Sequence, residues 1–533
     1  MSKQKGQREL IRSRLSHEQG TLFKQGDIRV ALVYPSPYRL GMSSLGFQTI
    51  YRIINQNSPH SAERAFLPEN NNTSGPLLTY ESENPVGDFD IIAFSLSYEL
   101  ELIGLIECLR LSGLSPLASD RSSGDPLVVV GGPLTFSNPI PSAPFSDVIT
   151  MGEGEGLILE LLNEAKHSLH RKSSRQDLMA CLSQKEGFYV PAIHGDTLLP
   201  VAKAEDDILP AYSQIITPDT ELSNMHLVEA ERGCHRRCTF CVMRRSTNGG
   251  MRAASVERIL ATIPDHAKRV GLVGAAVTDH PQLNEILDSI VSSGRGLGIS
   301  SLRADRLTET NVSLLKRGGY KTLTVASDGA SERLRKAMQK SIKARHLLHA
   351  AELAKKFSLR TLKLYMMVGV PDEQPEDIEE LIAFCKEVAG ITRTALSISP
   401  FVAKRNTPLD GTAFAGVDVV EKRLKLLRKG LRGAVDIRST SARWAWVEYC
   451  LAQGNSEMGL AALSAHKRGA DFASWRLAIA EHAPHFLDHY HRLRKTHSPL
   501  PRQQENAIPE VTPDVCINDI DPPSSSWGRP KGQ

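Results

Sequence analysis

Strand-like runs alternate with helix-like segments in two successive series, and this pattern restricts the fold more than any other feature of the chain. IRVALVYP (28–35) is a β-branched apolar run ending in proline, and LGFQTIYRIINQ (45–56) follows it with helical spacing. FDIIAFSLS (89–97) reads as a buried strand, ELELIGLIECLRLSG (99–113) as a helix, and DPLVVVGG (125–132) as a strand stopped by glycines. SDVITMGEGEGLILELLNEA (146–165) adds a short strand, a glycine–glutamate turn and a helix. Strands joined through helices pair in parallel. Residues 27–165 are therefore expected to form a doubly wound parallel sheet with its ligand crevice at the carboxyl ends of the strands.

Residues 166–220 carry mixed signals and read as a connection with some flanking sheet. The alternation then resumes. MHLVEA (225–230), RVGLVGAAV (269–277), GLGISSLR (296–303), TLTVASDG (322–329), TLKLYMMVG (361–369) and ALSISPFV (395–402) read as strands, separated by helical patterns such as SVERILATI (255–263) and PEDIEELIAFCKEVAG (375–390). Six such units across 221–410 suit a full or partial α/β barrel, which carries its chemistry on the loops after the strands. Residues 1–26 read as a polar N-terminal tail, 411–500 as a mostly helical C-terminal extension, and the proline-rich 501–533 as a disordered tail. A length of 533 residues, 41% apolar and 23% charged, indicates a soluble chain of two or three domains. Its apolar runs stay well short of the roughly 18 residues of a membrane span, and the polar N-terminus lacks an apolar signal core. No membrane partner is expected, and a cytoplasmic location is. The formal charge of +4 is too small for this length to argue for a nucleic-acid partner.

The stretch ERGCHRRCTFCVMRR (231–245) places three of the eight cysteines within eight residues, as Cys234-x3-Cys238-x2-Cys241. A structural zinc site closes with four ligands, yet the remaining cysteines lie in helices, the connection or the tail. His235 sits between Cys234 and Cys238, where it would strain a chelate. Three buried thiols without metal would call for apolar surroundings, and this loop is rich in arginine. An iron–sulfur cluster held by three thiolates leaves one iron open to bind a reactant. Arg232, Arg236, Arg237, Arg244 and Arg245 would offset the negative charge of such a cluster, or would simply form a solvated basic face.

CHRRCTFC, with Phe240 before the last cysteine, resembles the C-x3-C-x2-C signature of radical S-adenosylmethionine (SAM) enzymes. The resemblance implies that Cys234, Cys238 and Cys241 hold a [4Fe–4S] cluster whose open iron binds the amino and carboxylate groups of SAM. An electron donor such as flavodoxin or ferredoxin would then drive cleavage to a 5′-deoxyadenosyl radical, which abstracts hydrogen from a substrate the sequence does not name. SSLRADRL (300–307), ASDGASERLRKAMQK (326–340), KLYMMVGVPDE (363–373) and SISPFVAKRNTP (397–408) resemble later segments of the subgroup with a cobalamin-binding-like domain before its barrel. By that resemblance Ser301 and Arg303 face the methionine end of the cofactor, Asp328 and Ser331 lie near its ribose, and Gly369 lets the backbone approach the adenosine. Two segments depart from the subgroup. GLVGAAVTD (271–279) stands where a glycine-glycine-glutamate segment is usual, and the acidic residue before the serine is the shorter Asp328.

GGPLTFSNPIPSAPFSDVITMGEGE (131–155) is similar to the end of the cobalamin-binding-like domain. Gly131, Gly132 and Gly152 would permit close approach of a cofactor, and a helix starting at GEGE would offer amides to an anion. There is no D-x-H-x-x-G segment to supply a cobalt ligand, and the corresponding loop is YPSPYRLGMSSLG (34–46). Cobalamin would bind without a protein histidine or has been lost. RWAWVEYCLAQGNSEMGLAALSAHKRGADFASW (443–475) looks like the extension of fused members of the subgroup.

The implied function is a radical SAM enzyme, with cobalamin-dependent methyl transfer as its more specific form. One alternative is methylthiolation of tRNA or protein, which uses a second cluster held by three N-terminal cysteines; here only Cys108 and Cys181 precede the barrel. The other is a non-catalytic zinc-knuckle RNA-binding protein. The arginine-rich loop and HYHRLRKTH (489–497) favour it, but no interleaved aromatic series is present for base stacking.

Overall fold

The computed structural model describes residues 2–69, 75–171, 173–243 and 250–490. Arg244, Arg245, Cys516, the segment 491–497 and the expected 501–533 tail lie outside the described residues.

The first series of elements folds as its pattern requires. β1 (Arg29–Tyr34), β2 (Ser61–Phe66), β3 (Ile91–Ser95), β4 (Leu127–Gly131), β5 (Val148–Thr150) and β6 (Phe188–Tyr189) form one sheet in the order β2-β1-β3-β4-β5-β6. The first five are parallel, and β6, from the expected connection, adds antiparallel to β5. The central strands are buried along nearly their whole length because helices cover both faces, which explains why they read as continuous apolar runs. One of the covering helices, Leu45–Asn57, starts where the Ser44 hydroxyl accepts the Phe47 amide. Strand order reverses between β1 and β3, and the loops leaving these two strands meet there. Tyr34 and Ser97 share a hydrogen bond, and buried Glu101 accepts from Ser36 and from the Ser97 amide.

Residues 1–26 are not a free tail. Ser2–His17 is a helix with Ile11 buried, and Arg12 holds Glu83 through Nε and Nη2 at 2.6 and 3.0 Å. Directly after the helix, Glu18 accepts both terminal nitrogens of Arg64 on β2 at 2.8 and 2.7 Å, and Arg64 Nε donates to Glu81 at 2.6 Å. All three side chains are sealed from solvent. This ion triad also explains why β2 escaped recognition: SAERAF carries charge where a buried strand normally carries aliphatic groups.

The second series forms an open barrel. β7 (His226–Glu229) leads into the hairpin of β8 (Glu231–Gly233) and β9 (Met251–Ala253), followed by β10 (Arg269–Val273) and β11 (Gly296–Ile299). β12 (Thr322–Asp328), β13 (Thr361–Val368), β14 (Thr394–Pro400) and β15 (Asp436–Ser439) complete it. The parallel sheets β11-β10-β7 and β12-β13-β14-β15 are stitched together by a bridge between Leu302 and Val325. β15 moves the barrel's end beyond the expected residue 410. Its sequence, DIRS, sits on an exposed edge and carries no apolar run. Leu323, Val325, Leu362 and Leu364 are fully buried, whereas the alternate positions Thr324, Ala326, Lys363 and Tyr365 are only partly covered. The second face of these strands is therefore not packed solid.

The helices Val417–Gly430, Ala442–Gln453, Ser456–Lys467 and Phe472–His482 form the C-terminal extension. It packs on both preceding parts. The Asn138 side chain, in the loop after β4, donates to the carbonyls of Leu451, Ala452 and Gly454. Lys404, after β14, sits between Glu99 and Glu448 at 2.7 and 2.8 Å.

The Glu18–Arg64–Glu81 triad gives a stability prediction. Arg64→Ala leaves two carboxylates buried without a counter-charge and should destabilise the chain by about 3–5 kcal/mol, read as a lower urea midpoint. The exposed Arg39→Ala, which breaks only a surface pair with Glu221, should shift it by less than about 1 kcal/mol.

Candidate metal and cofactor site

The three cysteines lie on the loop of the β8–β9 hairpin, directly after the first barrel strand. Gly233, with φ of +94°, turns the chain out of β8 into Cys234. The Arg236 amide donates to Cys234 Sγ, the Cys241 amide to the Cys238 carbonyl, and the Thr239 amide to the Met338 carbonyl. Phe240 anchors the loop by packing on the core. Burial pushes all three thiols up, Cys241 to about 11, while Lys340 and Arg303 pull Cys238 back towards ionisation. Thiols in this state lose their protons when a metal binds.

The charges around the loop are arranged differently from expectation. Arg232 does not face the cysteines: it pairs with Glu229 at 2.8 Å and reaches Glu153 and Glu155 of the N-terminal sheet at 3.2 and 2.7 Å. Arg252, its register partner on β9, also binds Glu153 and adds Asp206. The carboxylates of GEGE are thus occupied by the hairpin. Arg236 makes a two-pronged contact with Asp279 at 2.9 and 2.6 Å, and Arg237 is exposed. Asp279, whose side chain is 1% exposed, also draws in Arg306 at 3.0 Å and both Arg303 and His235 at 3.9 Å. Burial opposes ionisation, yet Arg236 and Arg303 hold this carboxyl below its usual range.

The cofactor-contact residues expected from the sequence divide into two groups. Arg303 and Asp328 come to the cysteine loop: Arg303 through Asp279 and Asp305, and Asp328, at φ +65°, through Lys340 at 2.5 Å. Ser301 is exposed in the same loop after β11. Ser331 is fully buried, and its hydroxyl caps the helix Glu332–Ala337 while donating to Asp377 at 2.5 Å. Gly369 has φ +78° and gives its amide to Glu373, with Ala415 3.1 Å from where a Cβ would stand. The glycines of the N-terminal sheet are filled by the chain itself. A Cβ at Gly131 would meet Thr150 Oγ1, one at Gly132 the backbone of Leu96, and one at Gly152 the backbone of Ala202.

Sequence reasoning missed Glu231, Asp279 and Lys340. Only Asp279 had a signal, since it closes the segment that departs from the usual pattern. Around the cysteine loop three buried polar atoms have no hydrogen-bond partner: one Glu231 oxygen, Arg303 Nε and one Asp305 oxygen. Unsatisfied groups of both signs at one set of strand ends fit a charged ligand. Among the described residues no three His, Cys, Asp or Glu side chains converge on a single-ion site. A four-iron cluster does not need them to, because each cysteine ligates a different iron.

Comparison with known proteins agrees with this geometry. Residues 46–191 match the family described as Radical SAM proteins, N-terminal, and residues 228–385 the Radical SAM superfamily. The chain is a radical SAM protein. This radical SAM chain is 28% identical over 415 residues to an uncharacterised protein of Methanocaldococcus jannaschii, covering 76% of the chain and 83% of the relative. An uncharacterised methyltransferase of Pyrococcus horikoshii is 27% identical over 274 residues, 49% of the chain and 58% of that protein. A ribosomal protein uS12 methylthiotransferase of Thermotoga maritima is 27% identical over 178 residues, 30% of the chain and 41% of that protein. Among solved structures, the radical SAM methyltransferase TsrM of Kitasatospora setae aligns with a TM-score of 0.49 at 12% identity, covering 74% of this chain and 76% of its own. Radical SAM enzymes take a [4Fe–4S] cluster, SAM, an electron donor and a substrate. No helix among the described residues of this one is long and apolar enough to cross a membrane.

Asp279 organises the loop, and its removal should be measurable without cofactor. Asp279→Ala strands Arg236 and should destabilise the apo chain by about 2–4 kcal/mol, with tryptic cleavage at Arg236 and Arg237 several-fold faster. Arg306→Ala, at a half-exposed partner, should change stability by less than about 1 kcal/mol and leave the cleavage rate as it is.

Proposed function

We propose that Cys234, Cys238 and Cys241 hold the [4Fe–4S] cluster, that SAM binds beside them, and that the chain is a methyltransferase. The observation that supports the cluster assignment is the three thiols on one strand-end loop, ringed by Lys340, Arg303 and buried unsatisfied polar atoms. When bound, the cluster and SAM supply hydrogen-abstracting radical chemistry. The chain's own share is positional. Phe240 and the Thr239–Met338 contact fix the loop, Asp279 ties it to the strand end of β11, and Lys340 and Arg303 place positive charge towards Cys238. Arg303 and Ser301 are assigned to the methionine end of SAM and Asp328 to its ribose side. Ser331 and Gly369 would act indirectly, by shaping the strand ends. A cytoplasmic location and a flavodoxin or ferredoxin donor belong to the proposal, because such a cluster needs low-potential electrons and a reducing surrounding.

Methyl transfer is favoured by the likeness to the P. horikoshii methyltransferase and by a parallel sheet set before the barrel. Cobalamin fits the N-terminal domain less well. The expected glycine cradle is filled, and Tyr34, Ser36, Ser97 and Glu101 line the strand-order reversal without a histidine among them. No step is therefore assigned to it. Methylthiolation is disfavoured, since Cys108 is buried inside a helix with its thiol pushed up by burial, while Cys181 is exposed on another.

Anaerobic loading with iron, sulfide and hydroxocobalamin tests the proposal. The wild type should hold about four irons per chain and convert SAM to 5′-deoxyadenosine under reduction. The triple Cys→Ala variant should do neither, and Cys385→Ala should do both. Cobalamin co-purifying at about one per chain would support methyl transfer through it. A single zinc, or a cluster surviving in the triple variant, would contradict the assignment.

A further inference from the structure

Glu231 lies on β8, three residues before Cys234, and is 1% exposed. One carboxylate oxygen accepts the Ala276 amide at 2.6 Å. The same oxygen lies 2.2 Å from where a Cβ at Gly274 would stand, so glycine is what lets the carboxylate reach this strand end. The second oxygen is buried and makes no hydrogen bond. A buried carboxylate is ordinarily paired or fully hydrogen-bonded, and this one is neither. Burial pushes its pKa up to about 8, opposed by the Ala276 and Ala275 amides and reinforced by Glu229 and Asp279.

The other end of the 274–279 segment carries the opposite charge. The Arg303 amide donates to Thr278 Oγ1, and Arg303 Nε is buried without a partner. Asp279 cannot serve a ligand's cation because Arg236, Arg303 and Arg306 already surround it, and Asp305, although one of its oxygens is also free, is paired with Arg303 through the other at 2.9 Å. One short segment beside the cysteine loop is therefore flanked by a carboxylate with one free oxygen and by a guanidinium whose Nε is free while its Nη2 is held by Asp305 at 2.9 Å. A zwitterion bearing an ammonium and a carboxylate on one carbon complements that pair, and the methionine end of SAM is such a group.

Resting on the radical SAM reading above, we propose that Glu231 is the acceptor for the α-amino group of SAM. It takes the place of the carboxylate that GLVGAAVTD lacks after β10. Its free oxygen gains a charge-assisted hydrogen bond on binding, and its other oxygen stays on the Ala276 amide as a rigid mount.

Equilibrium dialysis of SAM against anaerobic, cluster-loaded protein provides the test, with 5′-methylthioadenosine, which lacks the amino-acid end, as the control ligand. Glu231→Gln should weaken SAM binding about 10- to 100-fold, the range for loss of a hydrogen bond to a charged group. It should leave iron content and methylthioadenosine binding unchanged. Glu231→Asp, which keeps the charge but shortens the reach, should fall between. Equal SAM binding by wild type and Glu231→Gln would overturn the proposal, as would parallel loss of both ligands or loss of iron in both variants. Failure of the wild type itself to bind SAM would instead overturn the reading on which the proposal rests.

Discussion

Arg232 is bound by three carboxylates drawn from both halves of the molecule: Glu229 beside it, and Glu153 and Glu155 at the strand end of the N-terminal sheet. Arg252 on the paired strand repeats the grip on Glu153. The loop that carries the three cysteines is strung between these two arginines, so the anchoring of its hairpin and the joining of the two domains are one interaction. A residue that sequence reasoning would enlist to neutralise a cluster is instead committed to architecture, and Lys340 and Arg303 supply the charge nearer Cys238. Ion pairs this well covered give specificity of placement more than net stability, because each charge also loses its hydration. At a site that must be held within a fraction of an ångström, placement is the useful property.

The same logic applies on the far side of the loop. Asp279 gathers arginines from the cysteine loop and from the segment after β11, which connects the ends of successive barrel strands through one buried carboxylate. Next to Arg232 on β8 stands Glu231, one of whose oxygens, like one of Asp305, has no hydrogen-bond partner. An open barrel makes such a residue tolerable. The strands β12 and β13 bury one face completely and the other only in part, leaving the site accessible to a charged ligand.

Much of this was legible in the sequence, and the exceptions share a cause. β1, β3, β4, β10, β12, β13 and β14 announced themselves because strands covered by helices need continuous or alternating apolar residues. β2 and β15 did not, since one buries an arginine in an ion triad and the other is an exposed edge. The helix Ser2–His17 looked like a tail because its attachment runs through Arg12 and the following Glu18 rather than through an apolar stripe. The cysteine loop was legible from spacing alone. Its partners were not, because Glu231, Asp279 and Lys340 reach it from different strand ends, and long-range pairing of single charged residues leaves no local periodicity. Gly132 and Gly152 were read as room for a ligand. Their conformation serves close passage of Leu96 and Ala202, a need that sequence cannot distinguish from the first.

The central claim is that the three thiols hold a cluster with one iron open to SAM at this strand-end site. The most direct measurement is the electron paramagnetic resonance spectrum of the reduced, iron-loaded protein before and after addition of SAM. A spectrum of one reduced four-iron cluster whose g-values shift on adding SAM is the predicted result. An iron–sulfur signal indifferent to SAM at saturating concentration, or no such signal in protein that retains a single zinc, would contradict it.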